Sequence, residues 1–275
     1  MAHKNTTNWS PYQGEKKGPP PPARRLHRKP DEAYSFNEAD DRMYDVFRNH
    51  GFGEYPHAKR RKLTEFFQLL MENQRTQNFT RLTSLRDVAI KHFIDCLMVT
   101  RLVSLRYPLL DLGTGPGFPG IPLKIDQGDK APGHEIVLAE GVQKRVEFLK
   151  LARKSLELRG LPIIGRNVDI EFFYPVNGVI TRAVEDARNT LGKVVNSLQT
   201  EGRVYLMKGP GCEPEIQAAL DAWGEYFVLE KNIDYELPQT PHERRLLVFK
   251  KIKPHPLPNF VELDLAWERE FGAGN

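Results

Sequence analysis

The sequence predicts an α/β fold, a seven-stranded and mostly parallel Rossmann-like sheet with an N-terminal helical cap. Three observations predict it. The run Leu109-Leu110-Asp111-Leu112 is apolar, ends beside an acid, and is followed by four glycines within eight residues, Gly113, Gly115, Gly117 and Gly120. This is the pattern of a buried strand, a tight turn and the start of a helix, with glycine supplying positive φ and a close backbone approach. From Pro108 onward, short apolar runs alternate with segments of helical length, as in a parallel sheet covered on both faces. Before Pro108, from about residue 31, apolar residues recur at spacings of three and four.

The elements follow in order. Leu63, Phe66, Phe67, Leu70 and Met71 line one face of a first long helix, which Lys59, Arg60, Arg61 and Lys62 open. A basic run at a helix start is ordinarily a solvated face; contact with nucleic acid is the sharper alternative. Val88, Ile90, Phe93, Ile94, Leu97, Met98 and Val99 predict a second helix over 87–105, with a broader buried face. Strands are expected at 109–112, 135–139, 161–164, 178–181 and 203–207, and an antiparallel pair at 227–231 and 245–251. A loop is expected at 126–133, and helices at 142–159, 187–198 and 213–223. In the first of these helices Val146, Leu149, Ala152 and Leu156 face inward. The implied organisation is a basic tail (1–35), a helical region (36–107), the sheet domain (108–252) and a C-terminal extension (253–275).

Composition narrows the class. The chain has 275 residues, 40% hydrophobic and 28% charged, as in a globular protein. No apolar run approaches the roughly 18 residues that span a bilayer, and the N-terminus is too polar for a secretory signal. Cys96 and Cys212 are too few for a disulfide framework or a zinc site. A cytoplasmic location is therefore expected. The net charge of +4 is uneven: residues 1–30 hold seven cations against Glu15 alone, so the tail, not the body, makes the chain basic. With Pro19 to Pro22 and few large apolar residues, the tail is expected to be disordered. It serves either as a salt-sensitive arm for nucleic acid or as a solubilising segment.

The glycine turn raises the question of its ligand. Gly115-Pro116-Gly117-Phe118-Pro119-Gly120 fits the dinucleotide pattern G-x-G-x-x-G in letters only. Its first glycine lies three residues past Leu112, and its last follows a proline where a dinucleotide fold already has a regular helical turn. Asp-x-Gly-x-Gly beginning at Asp111 suits instead the S-adenosylmethionine loop of Rossmann-like (class I) methyltransferases. Glu140 then ends the second strand, 23 residues past Gly117 and near the ~20 at which an acid receives ribose hydroxyls. The bland alternative is an acid favoured by a helix N-terminus. Two absences narrow the target. The sequence has no Asn/Asp-Pro-Pro-aromatic tetrapeptide for an exocyclic amine and no Pro-Cys nucleophile for a pyrimidine carbon. An acceptor whose lone pair is already available fits, and guanine N7 is one.

On these motifs the chain resembles the RsmG/GidB family of small-subunit rRNA guanine-N7 methyltransferases. The resemblance runs from about Asn78 to Lys250 and is most specific over 111–123, where Gly-Phe-Pro-Gly-Ile-Pro follows the turn. Further matches keep the family order at 82–87, 91–95, 143–149, 179–183 and 207–209. The resemblance implies S-adenosyl-L-methionine as cofactor, held by Asp111, Gly113, Gly115, Gly117, Phe118, Glu140, Val168, Asp169 and Arg182. It implies Lys144, Arg145 and Lys208 as contacts to 16S rRNA or the small ribosomal subunit. No catalytic acid or base is implied, since approximation suffices. Phe118 as core, Asp169 as an N-cap and Arg182 as a structural ion pair are the bland alternatives. His92 and Asp95 are expected to be a structural polar pair. Glu140 replaces the usual Asp, and Arg81 replaces the family's Asn.

The reading is a cytoplasmic, monomeric methyltransferase acting on guanine N7 of 16S rRNA. Three alternatives stay open from sequence. One is a methyltransferase for another RNA or a protein. Another is a non-catalytic S-adenosylmethionine- or RNA-binding relative. The third, disfavoured by the glycine placement, is a nicotinamide-dependent oxidoreductase. Deleting residues 1–30 is expected to leave the melting temperature unchanged. It is expected to flatten the salt dependence of rRNA binding by about 0.7–0.9 in log–log slope for each phosphate that the tail neutralises. An unchanged slope by filter binding assigns the tail a solubilising role only.

Overall fold

The structure, a computed structural model, describes residues 34–256 other than 78, 129–131 and 183–184, with the backbone alone at 75–77. The basic tail before Tyr34 and the extension past residue 256 lie outside the described residues. Four helical segments come first: α1 (Phe36–Asn49), α2 (His57–Gln77), α3 (Leu85–Val88) and α4 (Asp95–Leu102), with a π-helical segment, Ala89–Ile94, joining the last two. Then follow β1 (Leu109–Leu112), α5 (Gly120–Gln127), β2 (Ile136–Ala139), α6 (Gln143–Ser155), β3 (Ile163–Ile164), β4 (Val176–Arg182) and α7 (Ala187–Val194). The chain closes with β5 (Leu198–Lys208), α8 (Glu213–Trp223), β6 (Phe227–Glu236) and β7 (Glu243–Lys251).

The sheet has seven strands in the order β3-β2-β1-β4-β5-β7-β6. β1 to β5 are parallel, and β7 enters antiparallel between β5 and β6. The order reverses between β1 and β4, which opens a crevice at their carboxyl ends. Side chains alternate along each strand with a period of two. Leu109, Ile136, Leu138, Tyr205 and Leu246 join one core with α1 to α6, whereas Leu110, Leu112, Val137, Val204 and Leu247 join a second core with α7 and α8.

The helical region is therefore a cap that packs as a layer across one face of the sheet. Phe66 of α2 carries that packing. Its ring lies 5.9 Å from Phe93 of the π segment, 5.4 Å from Phe118 of the glycine turn and 6.4 Å from Phe148 of α6.

Several boundaries differ from expectation. The segment 126–133 is not all loop, because α5 runs to Gln127 and ends at Gly128. The helix expected over 187–198 stops at Val194, and Leu198 already pairs with Val176 as the start of a longer β5. The third strand shrinks to two residues. The helix expected over 87–105 takes a π turn in the middle, where Asp95 N–H donates to the carbonyls of His92 and Ile90.

The basic run 59–62 is not a solvated face. Arg60 and Asp40 are both buried, with Nε and Nη2 donating to the two Asp40 oxygens at 3.3 and 3.4 Å. Arg61 stacks on Phe36, Lys62 donates to the Leu156 carbonyl at 2.9 Å, and Lys59 donates to the Asp126 carbonyl. These cations fasten α2 to its neighbours. Arg60→Ala leaves the buried Asp40 carboxylate without its bidentate partner and is expected to cost about 3–5 kcal/mol in urea unfolding. A loss under about 1 kcal/mol would mean that Arg61, 3.8 Å from Asp40, takes over.

Candidate active site

The crevice at the reversal point measures about 360 Å³. Its walls come from the ends of four parallel strands: Leu112 and Gly113 after β1, Glu140 and Arg145 after β2, Arg166 to Val168 after β3, and Arg182, Glu185 and Lys193 around β4 and α7. Two clefts of similar size, one beside Arg203 and Glu230 and one beside Tyr107 and Asn177, lie at the amino ends of the strands. Ligands of open α/β sheets bind at the carboxyl ends.

Asp111 shapes the turn. It is fully buried, and its Oδ2 accepts from Thr114 Oγ1 at 2.5 Å and from Gly120 N at 2.7 Å, so one oxygen ties the strand end to the first residue of α5. Oδ1 is buried without a partner. Burial pushes the Asp111 carboxyl up to about 7, against the downward pull of those two hydrogen bonds. Only glycine fits at 120, where a Cβ would stand 2.6 Å from Asp111 Oδ2 and 2.3 Å from Leu138. Gly113 and Gly115 take φ of +67° and +60°, turning backbone toward the crevice.

Glu140 is buried at the other end of that backbone. Its Oε2 accepts from Gly115 N at 2.9 Å, its Oε1 from Val142 N at 2.8 Å, and Arg145 Nη1 stands 3.5 Å away. Each oxygen keeps a second lone pair, so the carboxylate can accept further hydrogen bonds.

Arg182 closes the far wall. Nη1 donates to the Lys91 carbonyl at 3.1 Å, Nη2 donates to His92 Nδ1 at 2.8 Å, and Asp95 Oδ2 lies 3.6 Å away. Its guanidinium sits 5.2 Å over the Phe118 ring, which also stacks on His92 at 4.4 Å. Burial, and then the Arg182 charge, drives His92 down to about 3. The imidazole is thus neutral, accepts from Arg182 through Nδ1, and donates through Nε2 to Thr80 Oγ1 at 3.1 Å. Asp95 further accepts from Tyr235 at 3.1 Å and from Arg244 at 3.4 Å. His92 and Asp95 act as structural partners of one arginine.

The model of the GidB family, rRNA small subunit methyltransferase G, fits residues 59–246, from α2 into β7. A ribosomal RNA small subunit methyltransferase G 2 of Bdellovibrio bacteriovorus is 57% identical over 84% of this chain and 89% of its own length. This chain belongs to the GidB family. Its similarity to a second such protein, from Syntrophobacter fumaroxidans, is 40% identity over 83% of this chain, which spans 44% of that longer relative. Against the methyltransferase G of Pelotomaculum thermopropionicum it is 34%, over 71% of this chain and 84% of the relative.

Within this GidB chain the structure gathers Gly113, Glu140, Arg145, Val168 and Arg182 around one crevice. Other sequence candidates sit elsewhere. Asp111, Gly117 and Phe118 lie beneath the turn as its support, with a Cβ at Gly117 meeting Ile121 at 2.4 Å. Asp169 is exposed and folds back on its own backbone, accepting from Glu171 N at 3.0 Å and Phe172 N at 3.1 Å. Lys208 is drawn inward, donating to the Glu185 carbonyl and to Glu215 Oε2, both at 2.6 Å. Lys144 is exposed on the first turn of α6, and Arg145 turns back to Glu140. Sequence reasoning missed Glu185, Lys193, Arg166 and Asn167. Only Gly141 signals the last of these, because a Cβ there would strike Asn167 Oδ1 at 1.9 Å.

Asp111 and His92 give stability opposite pH dependences. The folded state keeps a proton on Asp111 that the unfolded chain sheds between about pH 4 and 7. That contribution is present below the unfolded value of 3.8 and lost as the pH rises through about 7. His92, lowered to about 3, contributes stability that is lost as the pH falls from its unfolded 6.5 toward 3. Asp111→Asn keeps one acceptor oxygen for Thr114 and Gly120, and is expected to gain on the wild type in urea midpoint from pH 4 to pH 8. A difference constant across that range would show that Asp111 is ionised throughout.

Proposed function

We propose that the crevice between Glu140 and Arg182 holds S-adenosyl-L-methionine. The chain is an S-adenosylmethionine-dependent methyltransferase of small-subunit ribosomal RNA, and in this reading its acceptor is N7 of a guanine in 16S rRNA. The observation that carries the site assignment is the pairing of Glu140 with the positive-φ backbone of Gly113 and Gly115, at the strand ends where the sheet order reverses. Glu140 receives the ribose hydroxyls there, Gly113 lets the main chain approach the ligand, and Val168 supplies an apolar wall. When bound, the cofactor supplies an electrophilic methyl group on a sulfonium.

The protein's own part is placement. Guanine N7 carries an available lone pair, so no general base is needed, and holding the base in line with the methyl group supplies the rate. The inert side chains around the site agree with this. His92 is neutral and committed to Arg182 and Thr80. Burial pushes the Cys96 thiol far up and the Cys212 thiol up, away from thiolate. Lys144, Arg145 and Arg166 lie on the crevice rim and first turn of α6, where cations meet RNA phosphates. Among the described residues no helix is long and apolar enough to cross a membrane. We read the protein as acting in the cytoplasm as a monomer, on 16S rRNA or the small ribosomal subunit.

Gly113→Arg is expected to abolish S-adenosylhomocysteine binding in calorimetry, and Glu140→Ala to weaken it by ~1–3 kcal/mol, the range for losing a charged hydrogen-bond partner. Wild-type protein is expected to place N7-methylguanine in 16S rRNA, read by mass spectrometry. Binding of NAD without any response to S-adenosylhomocysteine, or methylation at another atom, would overturn the reading.

A further inference from the structure

The connection from α2 to α3 runs beside the crevice and carries two arginines that the fold leaves unused. It is fastened on both sides. The Phe79 ring lies 4.6 Å from Phe148 of α6, the helix whose first turn brings Arg145 to Glu140. Gln74 of α2 clamps the Thr80 backbone, donating to its carbonyl at 2.6 Å and accepting from its N–H at 2.9 Å. Thr80 Oγ1 accepts from Leu82 N and from His92 Nε2, both at 3.1 Å, and His92 in turn meets Arg182. Ser84 then caps α3, its Oγ accepting from Asp87 N at 3.0 Å. The segment is thus tied on one side to the helix of Arg145 and on the other, through His92, to Arg182, and both arginines line the crevice.

Arg81 stands between these fixed points, and Arg86 follows in the first turn of α3; both are exposed. Neither side chain has a hydrogen bond, an ion pair or a ring contact among the described residues. Residues 79–91 set Arg81, Arg86 and Lys91 against Asp87 alone, and that acid is taken. Asp87 pairs with Lys91 at 2.8 Å and accepts from Ser84 Oγ, also at 2.8 Å. The surplus positive charge therefore belongs to Arg81 and Arg86. Other cations of the helical layer, Lys59, Arg60 and Lys62, turn inward to carbonyls and a carboxylate. A guanidinium presents a planar fork that matches the oxygens of a phosphate. On a backbone already held at several points, docking such a ligand orders only side chains, so little affinity is lost to ordering. Spaced phosphates are what a polynucleotide offers on either side of a base that enters the crevice.

We propose that Arg81 and Arg86 bind backbone phosphates of the rRNA strand whose base enters the crevice. This rests on the function proposed above and adds the course of the strand, along the connection between α2 and α3 on the Arg182 side. The rRNA is then held at two places, here and at the rim cations Arg145 and Arg166.

Filter binding of the full chain to 16S rRNA over a salt series tests it. Arg81→Ala and Arg86→Ala are each expected to flatten the log–log salt slope by about 0.7–0.9, and the double variant by about 1.4–1.8. Both are expected to raise KM for rRNA while kcat, S-adenosylhomocysteine affinity and melting temperature stay at the wild-type values. Arg81→Lys keeps the charge and is expected to keep the slope. Arg106 is the control, an exposed arginine beside the clefts at the amino ends of the strands, and Arg106→Ala is expected to change nothing. An unchanged slope in the Arg81 and Arg86 variants overturns the proposal. So does an equal flattening by Arg106→Ala, which would mean diffuse attraction to the whole surface. Weaker binding to the intact small subunit, with naked rRNA bound as by wild type, would assign the pair to a ribosomal protein and overturn it too. If one alanine variant does not fold, the other decides. Failure of the functional reading looks different, because wild-type protein then leaves the rRNA unmethylated.

Discussion

One oxygen of Asp111 holds the crevice in shape. Oδ2 gathers Thr114 from inside the turn and the amide of Gly120 from the head of α5, so the loop between them has one available path. That path forces Gly113, Gly115 and Gly117 into positive φ and brings Gly115 N onto Glu140. The same constraint explains why Asp111 does not line the crevice despite opening the motif. Its side chain points to the face shared with Leu109, under the helical layer, while the backbone it shapes faces the crevice. An acid buried with one free oxygen is tolerable because a proton can sit there, and the raised pKa expresses that.

The helical layer matters to the site through Arg182. A guanidinium at the end of a central strand would be mobile if only solvent met it. Here the π turn presents the Lys91 carbonyl and the His92 ring together, Phe118 lies beneath, and Asp95 brings in Tyr235 and Arg244 from the antiparallel edge. Changes in α2 or in the π segment therefore reach the crevice through packing, by way of Phe66, Phe93 and Phe118. π turns inside helices are frequent at functional sites.

The sheet was legible in the sequence because the buried stretches of its parallel strands, such as Ile136–Ala139 and Val204–Met207, are short apolar runs, and the antiparallel end shows as two more runs after the last helix. What periodicity does not carry is a hydrogen-bond shift, and so the π turn at 89–94 and the early start of β5 at Leu198 were invisible. The crevice divides in the same way. Gly113 and Glu140 announce themselves because their roles demand a residue type at a strand end. Glu185 and Lys193 do not, since an acid just before a helix and a lysine in its last turn look like any solvated pair. Lys208 and the basic run at 59–62 were illegible for the converse reason: charge in a sequence suggests solvent or RNA, whereas in this structure these cations meet carbonyls and carboxylates of their own chain.

That inward use of charge bears on how the protein handles its substrate. A buried cation paired at one end is fixed in place and carries little field outward, so Arg60 contributes to shape and not to steering. The cations that the proposed function brings to phosphate are those on the rim, where Arg145 and Arg166 border the crevice. Arg145 reaches both ways, since it stands 3.5 Å from Glu140 and its Nε is buried without a partner. A nucleic-acid phosphate drawing Arg145 outward would loosen its hold on Glu140, and a cofactor ribose drawing on Glu140 would loosen it from the other side. On the proposed function the two ligands would then favour one another's binding through a single side chain, and the coupling would be reciprocal by linkage.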